Sequence, residues 1–253
     1  MNHYDVSIHP DEIRYWFMIV GAIIAGGLFI KAFDNISKEK RPYYLKRLGI
    51  AIFIISLFLP VYTLINPNQV FSFHRSLPFH FCSLNFWLLG INCFVKSRKL
   101  FVYTIFMSII GGIYSLLTPL LTIGDAPYVL VHYVIVHTGL FVVPIVMIRV
   151  YGMHLKSYDW IRSYLFAAAI STIMVFINSF LNIYMENPNE IIANYMFVWE
   201  APPVKNPFLL PSLGWPYYLI PLHFALIMHF FVLNIAYRRF TRKTSLETVR
   251  MWQ

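Results

Sequence analysis

The sequence predicts an all-α, polytopic membrane protein with seven transmembrane helices, an outer N-terminus and a cytoplasmic C-terminus. Three observations lead to this fold class: the composition, the length of the apolar runs and the distribution of the basic residues. Of the 253 residues, 58% are hydrophobic and only 12% are charged, whereas soluble domains carry about a quarter charged residues. This composition excludes a soluble enzyme, a disordered chain and a small disulfide-stapled protein.

Seven apolar stretches are each long enough to cross a bilayer, which requires about 20 residues of helix. Helices are expected because backbone exposed to lipid must satisfy its own hydrogen bonds. We treat residues 1–253 as one membrane domain whose spans are 13–33, 47–65, 77–95, 100–121, 127–150, 160–184 and 213–237. The connection 185–212 is rich in proline, which favours an outer cap of short turns over a long helix.

The basic residues fix the predicted orientation. The connections after the first, third and fifth spans, together with the C-terminal tail, carry 17 of the 20 Lys and Arg residues. The opposite side keeps only Arg14, Arg75 and Lys205. By the positive-inside rule, the basic side is cytoplasmic, and an odd number of spans then puts the N-terminus outside. The basic excess therefore describes topology and does not indicate nucleic-acid binding.

Both cysteines lie in the third predicted span. Cys82 and Cys93 are eleven residues apart, about 16 Å along a helix, which is too far for a disulfide. Cys93 is expected to be a small buried hydrophobic residue. Ser76 is a plausible N-cap for the third helix, with Pro78 in its first turn. Cys82 would then lie within two turns of a helix N-terminus, where the helix dipole favours a thiolate.

Several polar residues are predicted at the depth of Cys82, in the outer half of the bilayer. Ionisable groups inside a membrane are costly and therefore indicate function. The set is His80, His132, His137, Asn178, Asn182 and His223. We interpret this clustering as a polar pocket that opens to the outer leaflet, although hydrogen bonds between helices would also explain it. On a regular helix His80 and Cys82 would point apart, and His132 and His137 are spaced too poorly to predict a metal site.

An ordered series of short motifs runs along the sequence from residue 77 to residue 218. Leu-Pro-x-His-x-Cys-Ser-Leu at 77–84 is followed by Leu-Leu-Thr-Pro at 116–119, His-Thr-Gly-Leu at 137–140 and the pair Asn178 and Asn182. Ala-Asn-Tyr-Met at 193–196 and Leu-Gly-Trp-Pro-Tyr-Tyr at 213–218 come next. This series resembles the YwaF-like bacterial integral membrane proteins, which are similar to the animal transmembrane protein 164. The resemblance covers residues 70–225.

The resemblance implies a seven-helix fold in the plasma membrane of a bacterium and, from the animal relative, a cysteine-dependent acyltransferase acting on phospholipids. On this basis Cys82 would be the nucleophile and His137 the histidine paired with it. Depth in the membrane favours His132 as the base, so both histidines remain candidates.

The same chemistry suggests further roles. Acyl transfer needs donors for an oxyanion, and side-chain amides such as those of Asn178 and Asn182 can supply them. Arg75 at the mouth of the pocket is a candidate for holding a lipid phosphate, and His80 and His223 are candidates for contacts with the lipid substrate. No cofactor is expected.

Two other classes of function fit the same spans. One is a transporter of small molecules or ions, although the sequence shows no inverted repeat. The other is a non-catalytic structural subunit in which the polar residues only join helices.

Overall fold

The described residues form eight α-helices, one two-stranded pairing and two 3-10 turns. The computed structural model describes residues 5–69, 71–187, 190–202, 204 and 206–241. The α-helices are α1 Ile13–Asp34, α2 Arg41–Ser56, α3 Phe58–Ile65, α4 Phe81–Val95, α5 Arg98–Leu117, α6 Pro127–Tyr151, α7 Asp159–Tyr184 and α8 Leu219–Thr241. The strands are β1 Val6–Ser7 and β2 Leu120–Leu121, and the 3-10 turns are Tyr195–Phe197 and Pro211–Leu213.

The protein is an all-α polytopic membrane protein. In the described part of the chain, six helical segments are long and apolar enough to cross a bilayer, with α2 and α3 counted as the single segment Arg41–Ile65. Leu57 separates these two helices, three residues before Pro60, which has no N–H for the helix ladder. The remaining apolar helix, α4, has only 15 residues.

Three helices form the centre of the bundle. α4, α5 and α6 pack against one another; α1 and α2 lie against α6 and α4, while α7 and α8 lie on the side of α5. About half of the apolar stretches of α5 and α6 is buried within the protein, whereas the outer helices expose most of theirs. The outer helices therefore present the surface that a bilayer would cover.

Glycines allow the central helices to approach closely. A Cβ added at Gly49 of α2 would lie 2.5 Å from the Phe94 ring, and one at Gly90 of α4 would lie 2.9 Å from Ile52. On α5, a Cβ at Gly112 would lie 2.9 Å from the carbonyl oxygen of His137 on α6. Small residues at helix contacts are the usual means of close packing between membrane helices.

Several predicted helix boundaries were wrong. The third helix begins at Phe81 rather than at residue 77, and the second begins at Arg41, six residues before the predicted start. α5 ends at Leu117, because the following Thr118-Pro119 cannot continue the helix and leads into β2. The last helix begins at Leu219 rather than residue 213, after the cis peptide bond between Trp215 and Pro216.

The short N-terminal segment is held by a pairing that the sequence did not predict. β1 and β2 are antiparallel, with Val6 opposite Leu121 and Ser7 opposite Leu120. Arg14 bonds Asp125 at 2.6 Å at the same end of the bundle. The hydrogen bond from Arg14 is the main reason that the pKa of Asp125 lies below its usual value.

The opposite end of the bundle carries other charged contacts. Arg98 at the start of α5 pairs with the buried Asp159 of α7, and Arg149 of α6 lies 2.7 Å from Asp34 of α1. Six residues used in the charge count or the predicted cap lie outside the described residues: Pro188, Pro203, Lys205, Arg242, Lys243 and Arg250.

Adjacent glycines on α5 provide a test of the central packing. Gly112→Ala places a methyl group against the His137 carbonyl, so we expect it to destabilise the protein by about 1–3 kcal/mol, the usual cost of overpacking. Gly111→Ala is the matched control, because its Cβ would meet only the Cys82 sulfur, at 3.6 Å. Thermal unfolding in detergent should show a lower midpoint for Gly112→Ala alone. Equal midpoints for the two variants would contradict this account of the helix contact.

Candidate functional site

One end of the bundle encloses a cavity of about 280 Å³. The walls are formed by α3, the first two turns of α4, the last turn of α5, the first half of α6 and the loop before α4, and Phe197 contributes from the segment between α7 and α8. Five of the predicted site residues line it together: Arg75, His80, Cys82, His132 and His137. Most of the remaining lining is apolar and includes Phe86, Trp87 and Val136.

Cys82 is the second residue of α4, closer to the helix N-terminus than the sequence predicted. His80, not Ser76, is the N-cap residue, and the Ser76 hydroxyl instead accepts a hydrogen bond from the Ser72 amide. Because the helix begins at Phe81, the expectation that His80 and Cys82 point apart on one helix no longer applies. The sulfur of Cys82 lies 3.3 Å from the Ser115 hydroxyl on α5. No hydrogen bond joins it to a histidine among the described residues.

His137 is buried on α6, and its contacts define its tautomer. Its Nδ1 lies 2.7 Å from the carbonyl oxygen of Tyr133. A carbonyl oxygen only accepts hydrogen bonds, so Nδ1 carries the proton and Nε2 keeps a lone pair. The Tyr133 ring packs on the imidazole with centroids 3.9 Å apart, which fixes the ring orientation. His137 is therefore arranged to accept a proton at Nε2.

His132 lines the same cavity with different contacts. Its Nε2 donates to the carbonyl oxygen of Ile55 at 3.0 Å, where α2 is about to end. Its ring stacks on Phe58 of α3, with centroids 4.7 Å apart. These contacts join α6 to the break between α2 and α3, so His132 stabilises the packing of these helices.

His80 and Arg75 lie on the loop side of the cavity. The His80 ring packs between Tyr195 and Phe197, with centroid distances of 5.2 and 5.4 Å. Arg75 is buried and donates to the side chain of Gln69 at 3.1 Å. It also lowers the pKa of Asp5, although burial of that carboxyl is the larger effect and raises it overall.

Three predicted site residues are absent from the cavity lining. Both atoms of the Asn178 amide bond the backbone of Tyr195, at 3.0 Å each, and the Asn182 amide does the same with Ala193. The two amides thus hold the segment after α7 through hydrogen bonds to its backbone, and they are not available to an oxyanion. His223 lies beside the Tyr164 hydroxyl at 3.4 Å, between α7 and α8.

Tyr195 extends this anchoring to the loop before α4. Its hydroxyl donates to the carbonyl oxygen of Phe73 at 2.8 Å and accepts from the Leu77 amide at 3.0 Å. The irregular backbone before α4 is therefore tied to the segment that Asn178 and Asn182 hold.

Sequence reasoning missed Ser115 and Tyr133. The Tyr133 hydroxyl donates to the Ser115 carbonyl oxygen at 2.7 Å. A signal was present, because the residue four positions after Ser115 is Pro119, which has no N–H to occupy that carbonyl in the helix. Among the described residues, no group of three or more His, Cys, Asp or Glu side chains is arranged to hold a metal ion.

Comparison with known proteins places the site within a family. A model described as the TMEM164 family matches residues 8–234 of the chain, which includes every residue of the cavity lining. Searches of curated proteins and of solved structures find no match.

The hydrogen bonds between Asn178 and the Tyr195 backbone give a prediction about the segment after α7. Asn178→Ala removes both partners of the Tyr195 backbone, so amide hydrogen exchange at Tyr195 should accelerate by about tenfold or more. Thr172→Ala is the control on the same helix, because the exposed Thr172 hydroxyl bonds only its own helix. Unchanged exchange at Tyr195 in Asn178→Ala would show that these hydrogen bonds do not hold this segment.

Proposed function

Because the chain belongs to the TMEM164 family, we propose that it is a membrane-embedded acyltransferase that moves a fatty acyl group between lipids through a thioester on Cys82. The substrates we propose are phospholipids or other acyl lipids of the surrounding bilayer. The observation that carries this proposal is that Cys82 and His137 line one cavity, with His137 held in the tautomer that accepts a proton at Nε2.

The first half-reaction loads the enzyme. His137 Nε2 takes the thiol proton of Cys82, and the sulfur attacks the ester carbonyl of the donor lipid. The C–S bond forms, the C–O bond to the donor breaks, and the departing oxygen receives the proton from His137. The products of this step are a lyso-lipid and the acyl-enzyme.

The second half-reaction reverses these roles. A hydroxyl of the acceptor lipid gives its proton to His137 Nε2 and attacks the thioester carbonyl. The C–O bond forms, the C–S bond breaks, and the thiolate regains its proton. The scheme needs no cofactor.

The start of α4 supports the charge that develops on the carbonyl oxygen. The first N–H groups of a helix have no acceptor within it, and Cys82 and Ser83 are in the first turn of α4. Amides at a helix N-terminus beside the nucleophile are suitable oxyanion donors. This assignment replaces the earlier expectation for Asn178 and Asn182.

The cavity lining suggests how a lipid is held. We propose that the apolar side chains of Phe86, Trp87 and Val136 contact the acyl chain. Arg75 and His80, on the loop side, then contact the polar part of the lipid.

We also propose that α4 is a full span, which gives seven in total. α3 and the start of α4 both line the cavity, whereas Val95 at the end of α4 is three residues from Arg98, whose partner is Asp159 at the opposite end. α4 therefore runs between the two ends. With the charge distribution, seven spans put the cavity in the outer leaflet of the plasma membrane and the C-terminus in the cytoplasm.

The two cysteines on α4 provide a test of the thioester. Incubation of the purified protein with a phospholipid carrying a labelled acyl chain should give a protein adduct that hydroxylamine removes. Cys82→Ala should abolish this adduct, because no other nucleophile takes its place in the scheme. Cys93→Ala is the control, since Cys93 is buried in the core on the same helix, and it should retain the adduct.

A hydroxylamine-sensitive adduct that persists in folded Cys82→Ala protein would overturn the assignment of the nucleophile. Wild-type protein that gives no adduct with any of a panel of phospholipid donors would favour a transport or structural role instead.

Two histidine variants test whether His137 or His132 is the general base. His137→Asn keeps a donor for the Tyr133 carbonyl and removes the proton acceptor, so kcat should fall by about 10²–10⁴, the usual contribution of a general base. His132→Gln keeps a donor for the Ile55 carbonyl and should leave kcat nearly unchanged. The reverse order of effects, measured as initial rates of acyl transfer, would make His132 the base.

A further inference from the structure

Ser115 lines the cavity, but its hydroxyl has no role in the two half-reactions proposed above. Several other hydroxyls on the helices donate to the carbonyl four residues earlier in the same helix, as those of Ser56, Thr104 and Ser179 do. The Ser115 hydroxyl instead lies 3.3 Å from the sulfur of Cys82, on a different helix. It is thus the hydroxyl that touches the reacting atom.

The backbone of Ser115 is held by a second residue. Pro119 cannot donate to the Ser115 carbonyl, and the hydroxyl of Tyr133 occupies it at 2.7 Å. The carbonyl of the same tyrosine receives the hydrogen bond from His137 Nδ1. A continuous series of contacts therefore runs from Cys82 through Ser115 and Tyr133 to His137, across α4, α5 and α6.

A thiolate in this cavity needs such a contact. Most of the lining is apolar, and an ionised group in apolar surroundings is costly unless it is hydrogen-bonded. Among the described residues, the Ser115 hydroxyl is the hydrogen-bond partner of the sulfur. A hydroxyl can accept a hydrogen bond from the thiol and, after rotation, donate one to the thiolate.

We propose that Ser115 is a catalytic residue that donates a hydrogen bond to the Cys82 thiolate, and that Tyr133 is a positioning residue that holds Ser115 and His137 in place. The Ser115 hydroxyl keeps its proton throughout, because the thiol proton passes to His137 Nε2. When the thioester forms, the sulfur loses its charge and the hydrogen bond is released. This inference rests on the proposed function for its catalytic role, but its contact with the thiolate is measurable without acyl transfer.

The first readout is alkylation of Cys82 by N-ethylmaleimide at fixed pH, with Cys93→Ala as the background so that one thiol remains. Ser115→Ala should slow alkylation by about tenfold, the effect of losing a hydrogen bond to a charged group. Ser115→Thr keeps the hydroxyl and should restore most of the rate, whereas the similarly shaped Ser115→Val should not. Ser108→Ala is the control, because Ser108 is a buried serine of α5 that does not line the cavity.

The second readout is acyl transfer. Ser115→Ala and Ser115→Val should lower kcat and leave KM unchanged, and Ser115→Thr should recover kcat. Tyr133→Phe removes only the hydroxyl that bonds Ser115, so it should also lower kcat without raising KM. A thermal unfolding midpoint near that of wild type identifies the folded variants, and the Thr and Val pair keeps the comparison valid if Ser115→Ala is unstable.

The outcomes separate this inference from the proposed function. Alkylation and kcat that are equal in folded Ser115→Val and Ser115→Thr would overturn the role of Ser115. Alkylation that depends on the Ser115 hydroxyl, in a protein that never forms an acyl adduct, would support the hydrogen bond to sulfur and overturn the acyltransferase.

Discussion

The contact between Gly112 of α5 and the His137 carbonyl of α6 sets the distance between the two helices that carry most of the site. A side chain at Gly112 would require these helices to separate, since its Cβ would lie 2.9 Å from backbone that cannot move independently. The bond from Tyr133 of α6 to Ser115 of α5 depends on the same separation, and Ser115 in turn contacts Cys82 of α4. One position without a side chain therefore determines whether the groups on three helices meet.

A proline and a helix break each leave a backbone carbonyl for a side chain to occupy. Pro119 leaves the Ser115 carbonyl open, and Tyr133 fills it. α2 breaks before Pro60, and His132 bonds the nearby Ile55 carbonyl. Inside a membrane, such carbonyls must find a partner, because no water is present to bond them. His132 and the Tyr133 hydroxyl each bond a backbone carbonyl in this way, whereas the Ser115 hydroxyl contacts the sulfur of Cys82 on another helix.

The sequence was sufficient for the polytopic all-α class and for the grouping of several polar residues around Cys82. Hydropathy placed the helices because each apolar run is long, and the depth of Cys82, His132 and His137 brought them to one cavity. Side-chain direction was not predictable: Asn178 and Asn182 lie at a suitable depth, but their amides face the backbone of the following segment. The start of α4 was misplaced because Ser76 and Pro78 resemble a helix start, whereas contacts to Tyr195 hold that stretch in an irregular form. The position of Ser115 beside Cys82 was not predictable, because the two residues lie on different helices.

The short length of α4 has a consequence for the surrounding lipid. Its 15 residues extend about 22 Å, against a hydrocarbon thickness of about 30 Å. In the seven-span arrangement proposed for this protein, irregular backbone makes the rest of the crossing, which is tolerated at that depth only under a cover of protein. In that arrangement, the bilayer around this part of the bundle would thin, or the polar groups of the lipids would lie deeper there. Under the proposed function, this mismatch would bring ester carbonyls towards the level of Cys82, so the thickness of the host membrane would affect the geometry of the site.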